Sequence, residues 1–203
     1  MTERRIGVMG GTFDPIHVGH LAAAEDATWK LGLERVLFVP NNIPPHKLGR
    51  PISSTPDRLA MVEEAVRDNP RFTVSRAEVD RPGPSYTLDT LRRLQQQLGP
   101  QTHLVFLAGR DALQDLHAWH HPDTLLREFD MVFLCRPDSV PLDWSAIDQR
   151  FPGLRDRVEL VDIPELEVSS SDIRARVREG RPIRYYVTPP VQRYIEEHGL
   201  YRS

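Results

Sequence analysis

The sequence predicts an α/β fold: one doubly wound, mostly parallel sheet with helices on both faces and a small C-terminal helical portion. Three observations lead there. Apolar runs of strand length alternate with amphipathic stretches of helix length along the chain. The length of 203 residues suits one α/β domain with a buried core of its own. The sharpest polar motifs directly follow strand-like runs, where ligands bind in such sheets. The expected organisation is a single domain over residues 1–203, its C-terminal helical portion covering about 164–203.

Each element has a local reason. Residues 5–9 are short and apolar and run into Gly10-Gly11, the pattern of a buried strand. A helix is expected from near His17 to about Leu31, with Gly32 as its stop. Residues 35–39 form a second strand, and the following loop to residue 54 is rich in Pro, Asn and Gly. Unstructured loops of that length are often functional. Thr55-Pro56 reads as an N-cap followed by proline at the first helical position. Leu59, Met61, Val62, Ala65 and Val66 give that helix its apolar side up to about Arg67. A third strand is expected over 72–77, after which Pro82-Gly83-Pro84 breaks the chain. Thr87 is placed to cap a helix with Leu88, Leu91, Leu94 and Leu98 at helical spacing. Strands over 103–108, 131–135 and 158–163 follow, then helices at about 170–179 and 189–198. Segment 137–156 is ambiguous, with a short helix at 143–151 as one reading.

Composition narrows the function classes. The net charge of −3 gives no bulk positive field for DNA, RNA or an anionic membrane, so any charge for phosphate is local. The single cysteine, Cys135, excludes an intramolecular disulfide and a multi-cysteine zinc site. No secretory leader or membrane span is legible, and the expected compartment is the cytoplasm.

The first motif is Gly10-Gly11-Thr12-Phe13-Asp14-Pro15-Ile16-His17-Val18-Gly19-His20. The glycines let backbone approach a ligand closely, and the helix N-terminus that follows suits phosphate. His17 and His20, three apart, share one helical face and can donate to phosphate oxygens, with Gly19 leaving room between them. The spacing differs from both the P-loop and the dinucleotide glycine fingerprint. Two lone histidines would read as a cap or a stray metal site. Eleven consecutive residues, however, closely resemble the signature of the nucleotidyltransferase superfamily with the His-x-Gly-His motif, and a Rossmann-like sheet is the fold this implies.

The second motif is Val168-Ser169-Ser170-Ser171-Asp172-Ile173-Arg174. Ser169 and Asp172 have capping-box spacing, so a plain helix start is one reading. Arg174 in the first turns opposes the helix dipole, and an anion bound there would resolve the conflict. The segment resembles the Ile-Ser-Ser-Thr-x-Ile-Arg signature of the same superfamily, with Val168 for isoleucine and Ser171 for threonine. Pro44-Pro45-His46-Lys47, Ser85-Tyr86-Thr87-Leu88-Asp89-Thr90, Gly109-Arg110-Asp111 and Trp119 complete a resemblance to the nicotinate mononucleotide adenylyltransferases, supported by Arg181–Tyr201. Arg110 departs from the small residue usual in Gly-x-Asp.

The resemblance implies transfer of AMP from ATP to nicotinate mononucleotide, with release of pyrophosphate. It assigns charge neutralisation to His17, His20, Arg174 and Lys47. It assigns ATP to Gly10, Gly11, Thr12, Phe13, Gly19, Gly109, Asp111, Ser170 and Ser171 together with both histidines and Arg174. It assigns the acceptor to His46, Lys47, Tyr86, Thr87 and Trp119. Mg²⁺ would bind mainly through the ATP phosphates, so no protein ligand for metal is expected. The expected partners are these two small molecules, not nucleic acid or membrane, and self-association is left open. The alternatives are another acceptor, such as the amide mononucleotide or phosphopantetheine, and a non-catalytic nucleotide sensor.

Overall fold

In a computed structural model of the chain, which describes residues 4–42, 52–136, 142–164 and 166–202, six strands form one sheet. They are β1 (Arg4–Gly11), β2 (Arg35–Pro40), β3 (Phe72–Val74), β4 (Thr102–Gly109), β5 (Asp130–Cys135) and β6 (Val158–Asp162). Their order is β3-β2-β1-β4-β5-β6, and every pairing is parallel. The sheet is thus wholly parallel where a mostly parallel one was expected. Parallel neighbours need long crossovers. Helices α1 (Val18–Lys30), α2 (Thr55–Val66), α3 (Thr87–Leu98), α4 (Asp111–Gln114), α5 (Pro122–Glu128) and α6 (Trp144–Arg150) lie in them, and α7 (Ser170–Arg178) and α8 (Pro189–Glu197) close the chain. The winding runs outward from β1 to β3, then returns to place β4 beside β1. That reversal is a topological switch point, where crevices form.

Strand alternation divides the core in two. Met9, Phe38, Leu107 and Val132 pack with α1, α2 and the C-terminal residues Ile173, Val191 and Ile195. Ile6, Val8, Phe106 and Phe133 pack on the other face with Leu88, Leu91 and Leu94 of α3 and Leu125 of α5. Among the described residues no helix is long and apolar enough to cross a membrane.

Most boundaries fall within a residue or two of expectation, and the departures have local causes. His17 is the N-cap of α1, and Gly32 follows its end with φ +61, a conformation that favours glycine. Ser54, not Thr55, caps α2: its Oγ accepts the Asp57 N–H at 3.2 Å. Thr87 does not cap α3, because it is already the first helical residue and Tyr86 holds the cap position. β3 stops at Val74 because it pairs only with residues 36–38 of β2 at the sheet edge. Helices α4 and α5, of 4 and 7 residues, were not expected; they are too short to display a helical period. The ambiguous segment contains α6, with Asp143 as its cap.

Arg58 of α2 is 1% exposed, although its place in the sequence suggests a surface charge. Its guanidinium donates to the carbonyls of Thr12 at 2.9 Å, Asn41 at 2.8 Å, Asn42 at 3.0 Å and Ser53 at 3.1 Å. It also donates to Thr55 Oγ1 at 3.1 Å. Burial pulls its pKa down, opposed by the nearby Asp14 carboxylate. These bonds join the chain leaving β1, the chain leaving β2 and the start of α2. Arg58→Met keeps similar bulk but leaves those carbonyls unanswered, and should cost about 3–5 kcal/mol of stability. Urea unfolding measures it; an unchanged midpoint would remove Arg58 from this role.

Candidate functional site

A cavity of about 730 Å³ opens at the switch point between β1 and β4. Its walls come from the carboxyl ends of both strands, from the start of α1, and from the chain between β6 and α7. Of the expected site residues, Gly10, Gly11, Phe13, His17, Gly19, His20, Gly109, Asp111 and Trp119 line it. Thr12, Ser170, Ser171, Arg174, Tyr86 and Thr87 do not line it. His46 and Lys47 lie outside the described residues.

His17, the extended N-cap residue, and His20, the third residue of α1, stand with their imidazoles face to face, ring centroids 3.7 Å apart and planes 24° from parallel. The His17 backbone N–H donates to His20 Nδ1 at 3.3 Å. With Nδ1 accepting, the neutral His20 ring carries its proton on Nε2. The Phe13 ring packs edge-on against His20 at 5.2 Å. Gly19 is required by close approach: a Cβ there would stand 3.1 Å from His17 Nδ1. His17 is 6% exposed, and its Nδ1 is buried without a hydrogen-bond partner among the described residues. Burial, aided by the Arg136 charge, pushes its pKa down to about 4. His17 is therefore a neutral ring at physiological pH. The helix end is also less open than the sequence suggests, because the Val18 N–H is taken by the Tyr186 carbonyl at 3.0 Å.

The second motif docks on the first. Ser169 caps α7, its Oγ accepting the Asp172 N–H at 3.1 Å. The Asp172 carboxylate does not reach back to the cap; it pairs with Arg176 at 2.7 Å. Ser170 Oγ donates to the Pro15 carbonyl at 2.9 Å. Arg174 donates to the Asp14 carbonyl at 2.6 Å and to Ser171 Oγ at 3.2 Å, with an Asp14 carboxylate oxygen 4.0 Å away. A bound anion was the expected answer to the Arg174 charge, and the fold adds a second one, the Asp14 carboxylate, within the protein itself.

Of the residues that the resemblance assigns to the acceptor, Trp119 packs edge-on against Phe106 at 6.0 Å, and both rings line the cavity. Tyr86, at the start of α3, stacks on His120 at 4.2 Å. His120 carried no role in the sequence reading. Thr87 stands beside Tyr86 as the first residue of α3. Two cations of the cavity wall were also missed or set aside. Arg136 follows β5, and its position after a strand next to β4 was the available signal. Arg110 lines the wall and makes no ion pair among the described residues.

Known proteins resemble this chain along its length. The cytidylyltransferase-like family model matches residues 8–176. A relative from Thermomicrobium roseum named "Probable nicotinate-nucleotide adenylyltransferase" is 48% identical over 199 residues, 98% of this chain and 92% of the relative. A relative of the same name from a Roseiflexus species is 46% identical over 202 residues, covering 100% of both chains. Among solved structures, Plasmodium falciparum nicotinic acid mononucleotide adenylyltransferase complexed with NaAD has a TM-score of 0.77 at 20% identity, covering 98% of this chain and 97% of that one. At that identity the likeness shows the fold.

The His17 geometry yields a pH dependence. Its folded pKa of about 4 lies below the ordinary 6.5, so the unfolded chain binds more protons between these values. Stability should be unaffected by this group above pH 6.5 and should fall by about 3 kcal/mol as pH drops to 4. NMR titration of the ring, with unfolding measured in parallel, checks it; a midpoint near 6.5 would show an exposed imidazole.

Proposed function

The chain belongs to the nicotinate-nucleotide adenylyltransferase family, and on that premise we propose that it transfers AMP from ATP to nicotinate mononucleotide in NAD biosynthesis, giving nicotinate adenine dinucleotide and pyrophosphate. It is a nucleotidyltransferase. The observation that carries the reading is the convergence of His17, His20 and the backbone at Gly10, Gly11 and Gly109 on one cavity at the switch point.

The chemistry asks for positioning more than for proton transfer. An oxygen of the acceptor phosphate attacks the α-phosphorus of ATP, and the bond from that phosphorus to the bridging oxygen of the β-phosphate breaks. The second pKa of a phosphate monoester is about 6, so the nucleophile is already mostly dianionic and needs no general base. Catalysis then consists of bringing two polyanions in line and answering the charge that develops. His20 Nε2–H and the His17 ring act at the α-phosphate. Arg174, with Ser170 and Ser171 at the start of α7, holds the phosphates that leave. Asp111 and the Gly109 backbone take the ribose, and Thr12 and Phe13 shape the turn beneath it. Tyr86, Thr87 and Trp119 take the pyridine ring and its carboxylate, with His46 and Lys47 at the acceptor phosphate.

Nucleotidyltransferases of this type use a divalent metal with ATP, and Mg²⁺ is the ion assigned to this reading. The side chains at the phosphate end are imidazole, guanidinium and hydroxyl donors. Its carboxylate, Asp14, already accepts the Tyr201 hydroxyl at 2.7 Å. That donor set fits phosphate oxygens, with Mg²⁺ held on the phosphates themselves, where it would screen their charge. Small-molecule nucleotides are the substrates, and a cytoplasmic location belongs to the same reading.

Pyrophosphate release with Mg-ATP and three acceptors tests the assignment: nicotinate mononucleotide, its amide, and phosphopantetheine. The acid should be favoured over the amide by about 2–4 kcal/mol in kcat/KM, as a charged carboxylate meeting fixed donors. Equal values for the two would sink the acceptor pocket.

His20→Ala should lower kcat by about 10²–10³-fold with the fold intact, because a donor aimed at growing charge contributes more in the transition state than in the ground state. A packing role predicts the reverse: a lower melting temperature with near-normal turnover. Both are read on one preparation.

A further inference from the structure

The end of the chain reaches back to the first motif. After α8, Gly199 and Tyr201 both take left-handed backbone, with φ +62 and +64. For tyrosine this conformation is costly and persists where surrounding contacts hold it. The Tyr201 hydroxyl donates to Asp14 Oδ1 at 2.7 Å and lies 3.9 Å from Met61 Sδ. Asp14 is 4% exposed, so its carboxylate depends on partners inside the protein. Its Oδ2 accepts the Ser53 N–H at 3.4 Å and stands 4.0 Å from Arg174 Nη1. Its carbonyl accepts the same guanidinium nitrogen at 2.6 Å. Arg174 is thus held by two groups of Asp14, and one end of the Asp14 carboxylate is held by Tyr201.

We propose that Tyr201 is a positioning residue for the transfer reaction: through Asp14 it sets the place of the Arg174 guanidinium at the ATP phosphates. The inference rests on the adenylyl-transfer reading and adds a residue that touches no substrate. A buried carboxylate that loses a strong donor rotates or recruits a new one: the Arg58 guanidinium near Asp14 is already committed to carbonyls and Thr55, whereas Arg174 stands 4.0 Å from Oδ2. Arg174 would then turn toward Asp14 and away from ATP. Burial beside Asp14 pushes the phenol pKa up, so the donor persists through the physiological range.

A natural control lies in the same C-terminal portion. Tyr194 donates to Asp57 Oδ1 at 3.0 Å, a similar phenol–carboxylate bond on α2 that does not involve Arg174. The full chain is compared as Tyr201→Phe, Tyr194→Phe and Arg174→Ala, with the Tyr201→Phe/Arg174→Ala double variant. ATP affinity is measured by calorimetry without acceptor, alongside kcat, KM for both substrates, and melting temperature. Tyr201→Phe should weaken ATP binding about tenfold, the scale of one hydrogen bond to a charged group, and lower kcat with little change in acceptor KM. Tyr194→Phe should leave ATP binding and kcat near wild type. In the Arg174→Ala background Tyr201→Phe should cause no further loss. Wild-type ATP affinity and kcat in Tyr201→Phe would overturn the proposal, as would equal losses in the two backgrounds. If Tyr201→Phe fails to fold, Asp14→Asn is compared with Tyr201→Phe/Asp14→Asn: with the charge facing Arg174 removed in both, loss of the phenol donor should cost no further ATP affinity, and a further loss of about tenfold would overturn the proposal. Absence of pyrophosphate release from the wild type would sink the transfer reading, while ATP affinity would still decide the role of Tyr201.

Discussion

A guanidinium placed beyond the reach of water must have its N–H groups answered by the protein, and Arg58 meets that demand with carbonyls from chain segments that are otherwise separate loops. Thr12 follows β1, Asn41 and Asn42 follow β2, and Ser53 precedes α2. Once these are drawn to one point, the path out of β1 is set. That path carries Phe13, Asp14 and His17, so the histidine stack depends on a buried charge that is not itself part of the cavity wall. The desolvation cost of burying Arg58 is offset by these charge-assisted hydrogen bonds, and the same bonds hold the loops in place.

The electrostatics of the cavity follow the same economy of means. A chain of net charge −3 has no general field for anions. Donors are instead gathered locally: the neutral His17 ring and the His20 ring at the front of α1, and Arg110 and Arg136 in the wall. A neutral His17 does not repel these guanidinium groups, which is why its depressed pKa and the nearby Arg136 belong together. Neutral N–H donors and fixed cations are what an in-line displacement between phosphates uses, since no proton has to be removed from the nucleophile.

Two motifs 155 residues apart become one site through direct bonds. Ser170 holds the Pro15 carbonyl, Arg174 holds Asp14, and Tyr186 takes the Val18 N–H. The C-terminal portion packs on the same core face as α1 and α2, with Ile173, Val191 and Ile195 buried among their apolar residues. It therefore completes the site instead of merely covering the sheet.

The sequence by itself determined what depends on near neighbours. Strand runs, the spacing of His17 and His20, the turn at Gly32, the Ser169 cap and the order of motifs were all readable, because propensity, helical period and turn chemistry act over a few residues. The fold brings the glycines and histidines named by that resemblance to one cavity wall. Tertiary structure alone decided that β4 lies beside β1, which makes the crevice, and that Arg136 and Arg110 face it. It alone gave Arg58 its carbonyls, Arg174 its Asp14 partner, and His17 its neutral charge. Each of these depends on burial or on contacts between residues far apart in the chain, and neither quantity is a property of a local stretch of sequence.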